Sequence, residues 1–67
     1  MWRDVQHSWQ DMLGQIVRRW PATAAEDLMQ IEGDRSRFTD YLARAHDLTH
    51  AEAEELIETW LREQRLA

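Results

Sequence analysis

Four side chains of types that bind metal ions lie close together in the second half of the sequence: His46, Asp47, His50 and Glu54. A loop is predicted between the first two and the last two, so only His50 and Glu54, four residues apart, share a helical face. Two exposed ligands on one turn make a weak site, because zinc sites use three or four protein ligands. We expect solvated helix-terminal residues here and assign no metal ligand. A metal carrier or small enzyme using His46, His50 and Glu54 is the less favoured alternative.

The other residues that often do chemistry lack partners. His7 has no obvious carboxylate or nucleophile as a catalytic partner, and neither Ser8 nor Ser36 has the glycine-rich elbow of a nucleophilic serine. No phosphate-binding glycine loop is present. So short a chain also has little room for a pocket of the roughly 300 Å³ that small ligands need. We therefore expect a protein that is not an enzyme, with no catalytic residue and no cofactor.

The charge balance restricts the class of partner. Thirteen acids and eight bases give a net charge of −5, and every base is arginine, which we attribute to the base composition of the source genome. Nucleic-acid binding depends on clustered cations, so this charge argues against a nucleic-acid partner. The alternative function is nevertheless a nucleic-acid-associated helical-hairpin module. Its turns, at residues 21–22 and 47–48, lack glycines whose amides could approach a phosphate.

Length and composition indicate one small domain, residues 1–67. A chain of this size buries only roughly 60% of the surface that its unfolded form exposes, so we expect marginal stability. There is no cysteine, and four tryptophans are the expected substitute for disulfides. The start of the chain lacks the apolar run of a signal peptide, and no segment approaches the roughly 18 apolar residues of a membrane span. We expect a soluble, unprocessed cytoplasmic protein, monomeric or weakly associating.

Apolar residues recur every three or four positions and predict a compact all-α domain of two packed helical hairpins. The four helices are expected at about residues 3–20, 24–32, 35–46 and 50–64. Pro21 ends the first helix, because proline has no N–H to continue the hydrogen-bond ladder. Gly14 lies inside it, where glycine costs about 0.8–1 kcal/mol relative to alanine. It is either a tolerated defect or the mark of a close crossing with a second helix.

The stretch 31–35 is the joint at which the chain folds back on itself. Gly33 can take the left-handed conformation that closes the second helix, and Asp34 suits the N-cap of the third. Two Thr-x-x-Glu capping boxes, Thr23 with Glu26 and Thr49 with Glu52, are predicted to open the second and fourth helices. They recur in an approximate repeat of 26 residues between 12–31 and 38–57. That repeat reflects either two similar hairpins or the general frequency of capping boxes.

The apolar faces of these helices predict the core. Its main residues are expected to be Trp9, Trp20, Phe38, Leu42, Ile57 and Trp60. Core packing is the simpler interpretation of the tryptophans, with a groove for a partner as the alternative. Trp2 differs, because at the start of the chain it is expected to fray and to offer an exposed contact.

An ordered set of residues at fixed spacing then suggests a family. Its elements are Trp9, Gly14, Trp20, Asp27-Leu28, Ile31-Glu32-Gly33 with Arg35, Leu42, Glu52-Ala53-Glu54, Ile57 and Trp60. With this set the chain resembles the CsbD-like bacterial general stress-response family over nearly its full length. The resemblance implies a four-helix fold and accumulation under general stress, such as osmotic or envelope stress, through macromolecular interaction or abundance. It supplies no biochemical activity, and a protein partner is possible but unidentified.

The chain also departs from the family pattern. Relatives commonly have glycine where Pro21 stands, Tyr-Gly where His46-Asp47 stands, and lysine at Asp34. Their first helix is rich in lysine, whereas this one carries residues such as Gln10 and Arg18. A role that depends on the surface charge of the relatives is therefore not carried over.

Overall fold

The computed structural model describes the backbone of residues 1–66 and the side chains of residues 1–64. Within this range the chain forms five α-helices and no strand: α1 (Trp2–His7), α2 (Trp9–Arg19), α3 (Ala25–Ile31), α4 (Arg35–His46) and α5 (His50–Leu66). Helix α2 packs against α3, and α4 packs against α5, while α3 also contacts α4. The radius of gyration is 10.8 Å. The expected compact all-α class is confirmed, with one helix more than predicted in the described part.

The predicted first helix is in fact two helices, because the backbone bends at Ser8. Ser8 has φ −106° and ψ 25°, away from helical values. Ser8 is bonded on both sides of the bend: its N–H donates to the Asp4 carbonyl at 3.2 Å, and its carbonyl accepts from the Met12 N–H at 3.0 Å. Apolar spacing continues through the bend, so periodicity alone does not locate it.

Helix α1 lies against the joint that follows α3. The Trp2 indole N–H donates to the Gly33 carbonyl at 2.9 Å. Gly33 has φ +78°, and a Cβ added there would lie 3.0 Å from Cγ of Gln6. Glycine is therefore required at this joint both for its backbone conformation and for the close approach of α1.

The end of α3 differs in detail from the prediction. Glu32, not Gly33, is the residue that closes the helix in the left-handed conformation, with φ 56°. Gly33 follows with a positive φ of its own, and the Asp34 N–H donates to the Ile31 carbonyl at 3.1 Å. Two consecutive residues with positive φ turn the chain directly into α4.

The other glycine has no such role. Gly14 is exposed, and a Cβ added to it would meet nothing within 4 Å. The close helix crossing that was one of its two interpretations is therefore wrong, and the tolerated defect is the observed case. The close approach of two backbones occurs at Gly33 instead.

The caps of α4 and α5 are those that the sequence predicts. The Arg37 N–H donates to Oδ1 of Asp34 at 3.0 Å, so Asp34 is the N-cap of α4. The Thr49 N–H donates to Oε1 of Glu52 at 2.9 Å, and the Glu52 N–H donates back to Oγ1 of Thr49 at 3.1 Å. Helix α4 has the predicted bounds, and α5 begins where predicted. The sequence also predicts that residues 64–67 fray, and the side chains after residue 64 lie outside the described part of the structure.

The first capping box is not formed. Thr23 is buried, its hydroxyl donates to the Trp20 carbonyl at 2.7 Å, and the N-cap of α3 is Ala24, with no capping side chain of its own. The Ala24 N–H donates to the Tyr41 hydroxyl at 2.9 Å. A side chain from α4 therefore accepts the N–H of the N-cap residue, which is the role that a capping box gives to its glutamate.

Phe38 lies at the centre of an aromatic core. Its ring centroid is 5.4 Å from that of Trp9, 5.7 Å from Trp2, 5.9 Å from Trp20 and 6.5 Å from Trp60. All six residues predicted for the core are buried: Trp9, Trp20, Phe38, Leu42, Ile57 and Trp60. Because these rings come from α1, α2, the turn after α2, α4 and α5, Phe38 joins the two hairpins.

Trp2 belongs to this core and is not the exposed contact that was expected. It is half-buried and stacks on Phe38 at an interplanar angle of 28°. The guanidinium of Arg35, the last residue of the joint, lies 5.8 Å from the centroid of the Trp2 ring. These contacts, together with the hydrogen bond to Gly33, hold α1 in place.

Candidate functional site

A surface groove lies between α3 and α4, and we call it the α3–α4 groove. It is open to solvent and has a volume of about 780 Å³. Its lining combines charged, aromatic and apolar side chains: Ala22, Asp27, Gln30, Ile31, Arg37, Asp40, Tyr41, Arg44 and Ala45. This volume exceeds the roughly 300 Å³ for which the chain was expected to have little room, although the recess is an open surface groove and not an enclosed cavity.

Tyr41 organises the inner wall of this groove. Its hydroxyl accepts from the Ala24 N–H and donates to Oδ2 of Asp27 at 3.0 Å. Burial raises the pKa of the Tyr41 phenol, and the neighbouring Asp27 carboxylate raises it further, against the bond from Ala24. The phenol is therefore held neutral and acts as a hydrogen-bonding bridge between α3 and α4. The sequence indicated Tyr41 as part of an apolar face and gave no signal for its polar end.

The histidine and acid cluster does not converge on one point. His50 lies between two carboxylates: its Nε2 is 3.4 Å from Oδ1 of Asp40, and its Nδ1 is 3.8 Å from Oε1 of Glu54. The predicted shared face of His50 and Glu54 is confirmed, and Asp40 is a neighbour that sequence reasoning missed. His46 lies apart, with Nε2 buried and without a hydrogen-bond partner in the described structure. Within the described residues, no three His, Cys, Asp or Glu side chains are grouped as a metal site.

Asp47 takes no part in that cluster and instead ends α4. It has φ 55° and ψ 50°, a left-handed conformation, and the N–H of the next residue, Leu48, donates to the Ala43 carbonyl at 2.8 Å. This geometry favours glycine, although aspartate tolerates it better than most residues. Its side chain is exposed at the end of the helix.

The exposed face of α4 carries alternating charges. We call it the α4 stripe, and its members are Arg37, Asp40 and Arg44. Their spacing of three and four residues places them on one side of the helix. Among the described side chains neither arginine of the stripe forms a salt bridge, unlike Arg19 and Arg35. The stripe thus presents two unpaired guanidinium groups beside the α3–α4 groove.

A different contact links the start of α4 to α5. The Arg35 guanidinium donates to the Glu58 carboxylate, and this bond holds the pKa of Glu58 below its usual range. The i,i+4 spacing of Glu58 and Arg62 alone predicts a pair within α5. Arg62 contributes only a smaller charge effect to Glu58. Glu58 pairs with Arg35 rather than with Arg62, and Arg35 also lies against the Trp2 ring.

No helix in the described part of the chain is long and apolar enough to cross a lipid bilayer. Comparison of the chain with protein-family models, with curated proteins and with solved structures gives no match. The resemblance to the CsbD-like family therefore rests on the residues of this sequence alone.

Proposed function

We propose that this chain is a small bacterial stress-response protein of the CsbD-like type, located in the cytoplasm, that acts without catalysis. It works by interaction with another macromolecule or by its abundance. The observation that supports the proposal is that most of the residues on which the family resemblance rests also lie in the core or at the joint. Those in the core or at the joint are Trp9, Trp20, Leu28, Ile31, Gly33, Leu42, Ala53, Ile57 and Trp60.

A departure from the family pattern supports the same assignment. Relatives commonly have glycine where Asp47 stands, and Asp47 has a φ of 55°, in the region that glycine adopts most readily. The backbone at this position therefore suits the residue that the relatives carry. By contrast, Gly14 is part of the resemblance but has neither a positive φ nor a close neighbour, so it adds no support.

Abundance is the first property to test. We expect the protein to rise several-fold under osmotic, heat or stationary-phase stress in its source bacterium, measured by quantitative proteomics against growth without stress. The control is an unrelated small acidic helical protein of the same cell. An abundance that stays constant across all three conditions contradicts a stress role.

The interaction is tested separately. A tagged chain is used as bait in extracts of stressed cells, with and without nuclease, and bound proteins are identified by mass spectrometry. A reproducible partner that survives nuclease supports an interaction module. If stress raises the abundance but the bait retains only what the control retains, the role depends on abundance alone.

The alternative, a nucleic-acid-associated module, has less support from the surface. The carboxylates of Asp27 and Asp40 lie in the same groove as the arginines of α4, and the chain carries a net charge of −5. A phosphate backbone would meet both signs of charge there. Binding to DNA or RNA that is detectable at low salt and falls steeply with added salt would favour this alternative.

A further inference from the structure

Helix α1 is a short element that is joined to the rest of the chain at a single bend. It has six residues, whereas an isolated helix shorter than about 12 residues is marginal in water. The bend consists of one exposed residue with non-helical angles, Ser8. Helix α1 therefore keeps its place through the contacts of its side chains with the body of the domain, by which we mean residues 9–64.

Two side chains of α1 make its contacts with the core. The Trp2 ring centroid lies 5.7 Å from that of Phe38, and the Trp2 indole N–H donates to the Gly33 carbonyl at 2.9 Å. Val5 is buried, with only 4% of its surface exposed. A second segment with the same two side chains at the same spacing would fit the surface that α1 covers. The α1 of another copy of this chain is such a segment.

The sequence also allows α1 and α2 to form one continuous helix. Apolar residues recur at steps of three and four across the bend: Trp2, Val5, Trp9, Met12 and Ile16. Ser8 already has helical hydrogen bonds on both sides, to Asp4 and from Met12. Rotations of about 40° in φ and about 70° in ψ would bring Ser8 to helical values. The joined helix, residues 2–19, would be about 27 Å long and would carry Trp2 away from the Phe38 of its own chain.

We propose that α1 exchanges between two copies of this chain, which then form a domain-swapped dimer. In each copy Ser8 becomes helical and joins α1 to α2. Trp2 and Val5 of one copy then pack against Phe38 of the second copy. The exchanged contacts bury the same apolar side chains as the contacts within one chain, so the dimer does not rest on surface ion pairs.

The balance between monomer and dimer depends on the bend. The dimer gains a helical conformation at two Ser8 residues. Against this stand the entropy of association and the repulsion between two chains that each have a net charge of −5. The contacts of α1 itself are the same on both sides of the equilibrium, so they do not decide it. The dimer does not depend on the stress role proposed above.

Substitution of Ser8 tests this balance. Ser8→Ala favours the continuous helix, and Ser8→Gly disfavours it. Because a dimer contains two such residues, we expect the dissociation constant of Ser8→Ala to be about thirtyfold lower than that of Ser8→Gly. Each variant is refolded from urea at about 1 mM protein in about 0.5 M NaCl, which screens the net charge. Sedimentation velocity over about 0.01–1 mM protein then gives the dissociation constant.

The matched control is the same pair of substitutions at Gln15, an exposed residue of α2. Gln15→Ala and Gln15→Gly change the helix propensity of α2 as the Ser8 variants change that of the bend. Residue 15 is helical in the monomer and in the proposed dimer, so we expect the two dissociation constants to agree within about threefold. Circular dichroism melts first establish that all four variants are folded.

Nuclear magnetic resonance identifies the surface of the dimer. Isotope-labelled and unlabelled Ser8→Ala chains are mixed in equal amounts and refolded together. In the swapped dimer, the Trp2 ring of one copy contacts Phe38 of the second copy, so an isotope-filtered nuclear Overhauser effect between the two rings connects labelled and unlabelled chains. In a monomer, or in a dimer formed through another surface, this effect occurs only within one chain.

Three results would overturn the proposal. The first is a Ser8→Ala variant that is monomeric at about 1 mM protein. The second is a dimer whose Trp2–Phe38 contact stays within one chain, since α1 would then not be exchanged. The third is a Gln15 pair whose dissociation constants differ as much as those of the Ser8 pair, because general helix stability would then explain both.

Discussion

Replacement of Phe38 by leucine tests whether one ring joins the two hairpins. Phe38 is 0% exposed, and its centroid lies 5.4 to 6.5 Å from four tryptophan rings. Aromatic pairs contribute about 0.5–1.5 kcal/mol each beyond the area they bury. Leucine keeps most of the apolar volume but removes all four pairs, so the expected loss is about 2 kcal/mol at the lower limit.

That loss is large for a chain of this size. Domains are stable by about 0.05–0.15 kcal/mol per residue, which gives about 3–10 kcal/mol here. Urea unfolding of a small domain has a slope of about 1 kcal/mol per molar. We therefore expect Phe38→Leu to lower the urea midpoint by about 2 M while the slope stays constant. Tryptophan fluorescence and far-ultraviolet circular dichroism should report the same midpoint.

The matched control is Met29→Leu, which changes an apolar side chain that is 51% exposed. We expect its midpoint to lie within about 0.3 M of the original, because surface substitutions usually change stability by less than about 0.5 kcal/mol. If Phe38→Leu also shifts the midpoint by less than about 0.5 M, the aromatic contacts do not hold the hairpins together. An equal shift in both variants would likewise refute the reasoning, since the effect would not be specific to the core.

Three further predictions follow from the backbone and from charge. Gly14→Ala should raise the free energy of unfolding by about 0.8–1 kcal/mol, because the site is helical and nothing crowds a Cβ there. Gly33→Ala should lower it by at least about 1 kcal/mol, because Gly33 has a positive φ. Equal effects of the two substitutions in urea unfolding would contradict the different roles of the two glycines. Asp47→Gly should stabilise by about 0.5–1 kcal/mol, since it relieves a left-handed aspartate, and a lower melting temperature would count against it. The lowered pKa of Glu58 means that its pairing with Arg35 stabilises the fold above the unfolded pKa and is lost as the pH falls through the lowered value. Glu58→Gln should therefore melt lower than the parent chain at pH 7 and converge with it in acid below pH 4.5; parallel melting curves across that range would argue against the ion pair.

The sequence was most informative where local and tertiary preferences agree. Helix α4 has the predicted bounds because Asp34 caps its first turn and its apolar stripe faces the core. Tryptophan and phenylalanine positions at helical spacing identified the core because such large rings contribute most of the apolar area in a short chain. The Thr49 box formed because both of its side chains are exposed and have no competing partner in the described structure.

It was least informative where a distant residue competes with a local one. The first helix bends at Ser8 without any change in apolar spacing, and the hydrogen bond that α1 makes to the joint, from Trp2 to Gly33, spans 31 residues. The candidate site shows the same difficulty. Asp40 reaches His50 from another helix, and Tyr41 reaches Asp27 across the groove. No spacing rule within one helix can identify such pairs.

The two Thr-x-x-Glu motifs show how tertiary structure decides between identical local signals. At Thr49 the hydroxyl accepts the Glu52 N–H, as the motif predicts. At Thr23 the turn that follows Trp20 brings both the hydroxyl and the N–H of the threonine to the Trp20 carbonyl, at 2.7 and 2.9 Å. The hydroxyl is then not available to the Glu26 N–H, and the Tyr41 hydroxyl accepts the N–H of the N-cap residue, Ala24. The internal repeat is therefore not a repeat of hydrogen bonding. In the first half of the repeat, the start of α3 is held by a hydrogen bond to Tyr41 of α4. Because α3 is only seven residues long, this helix depends on the second hairpin for its stability.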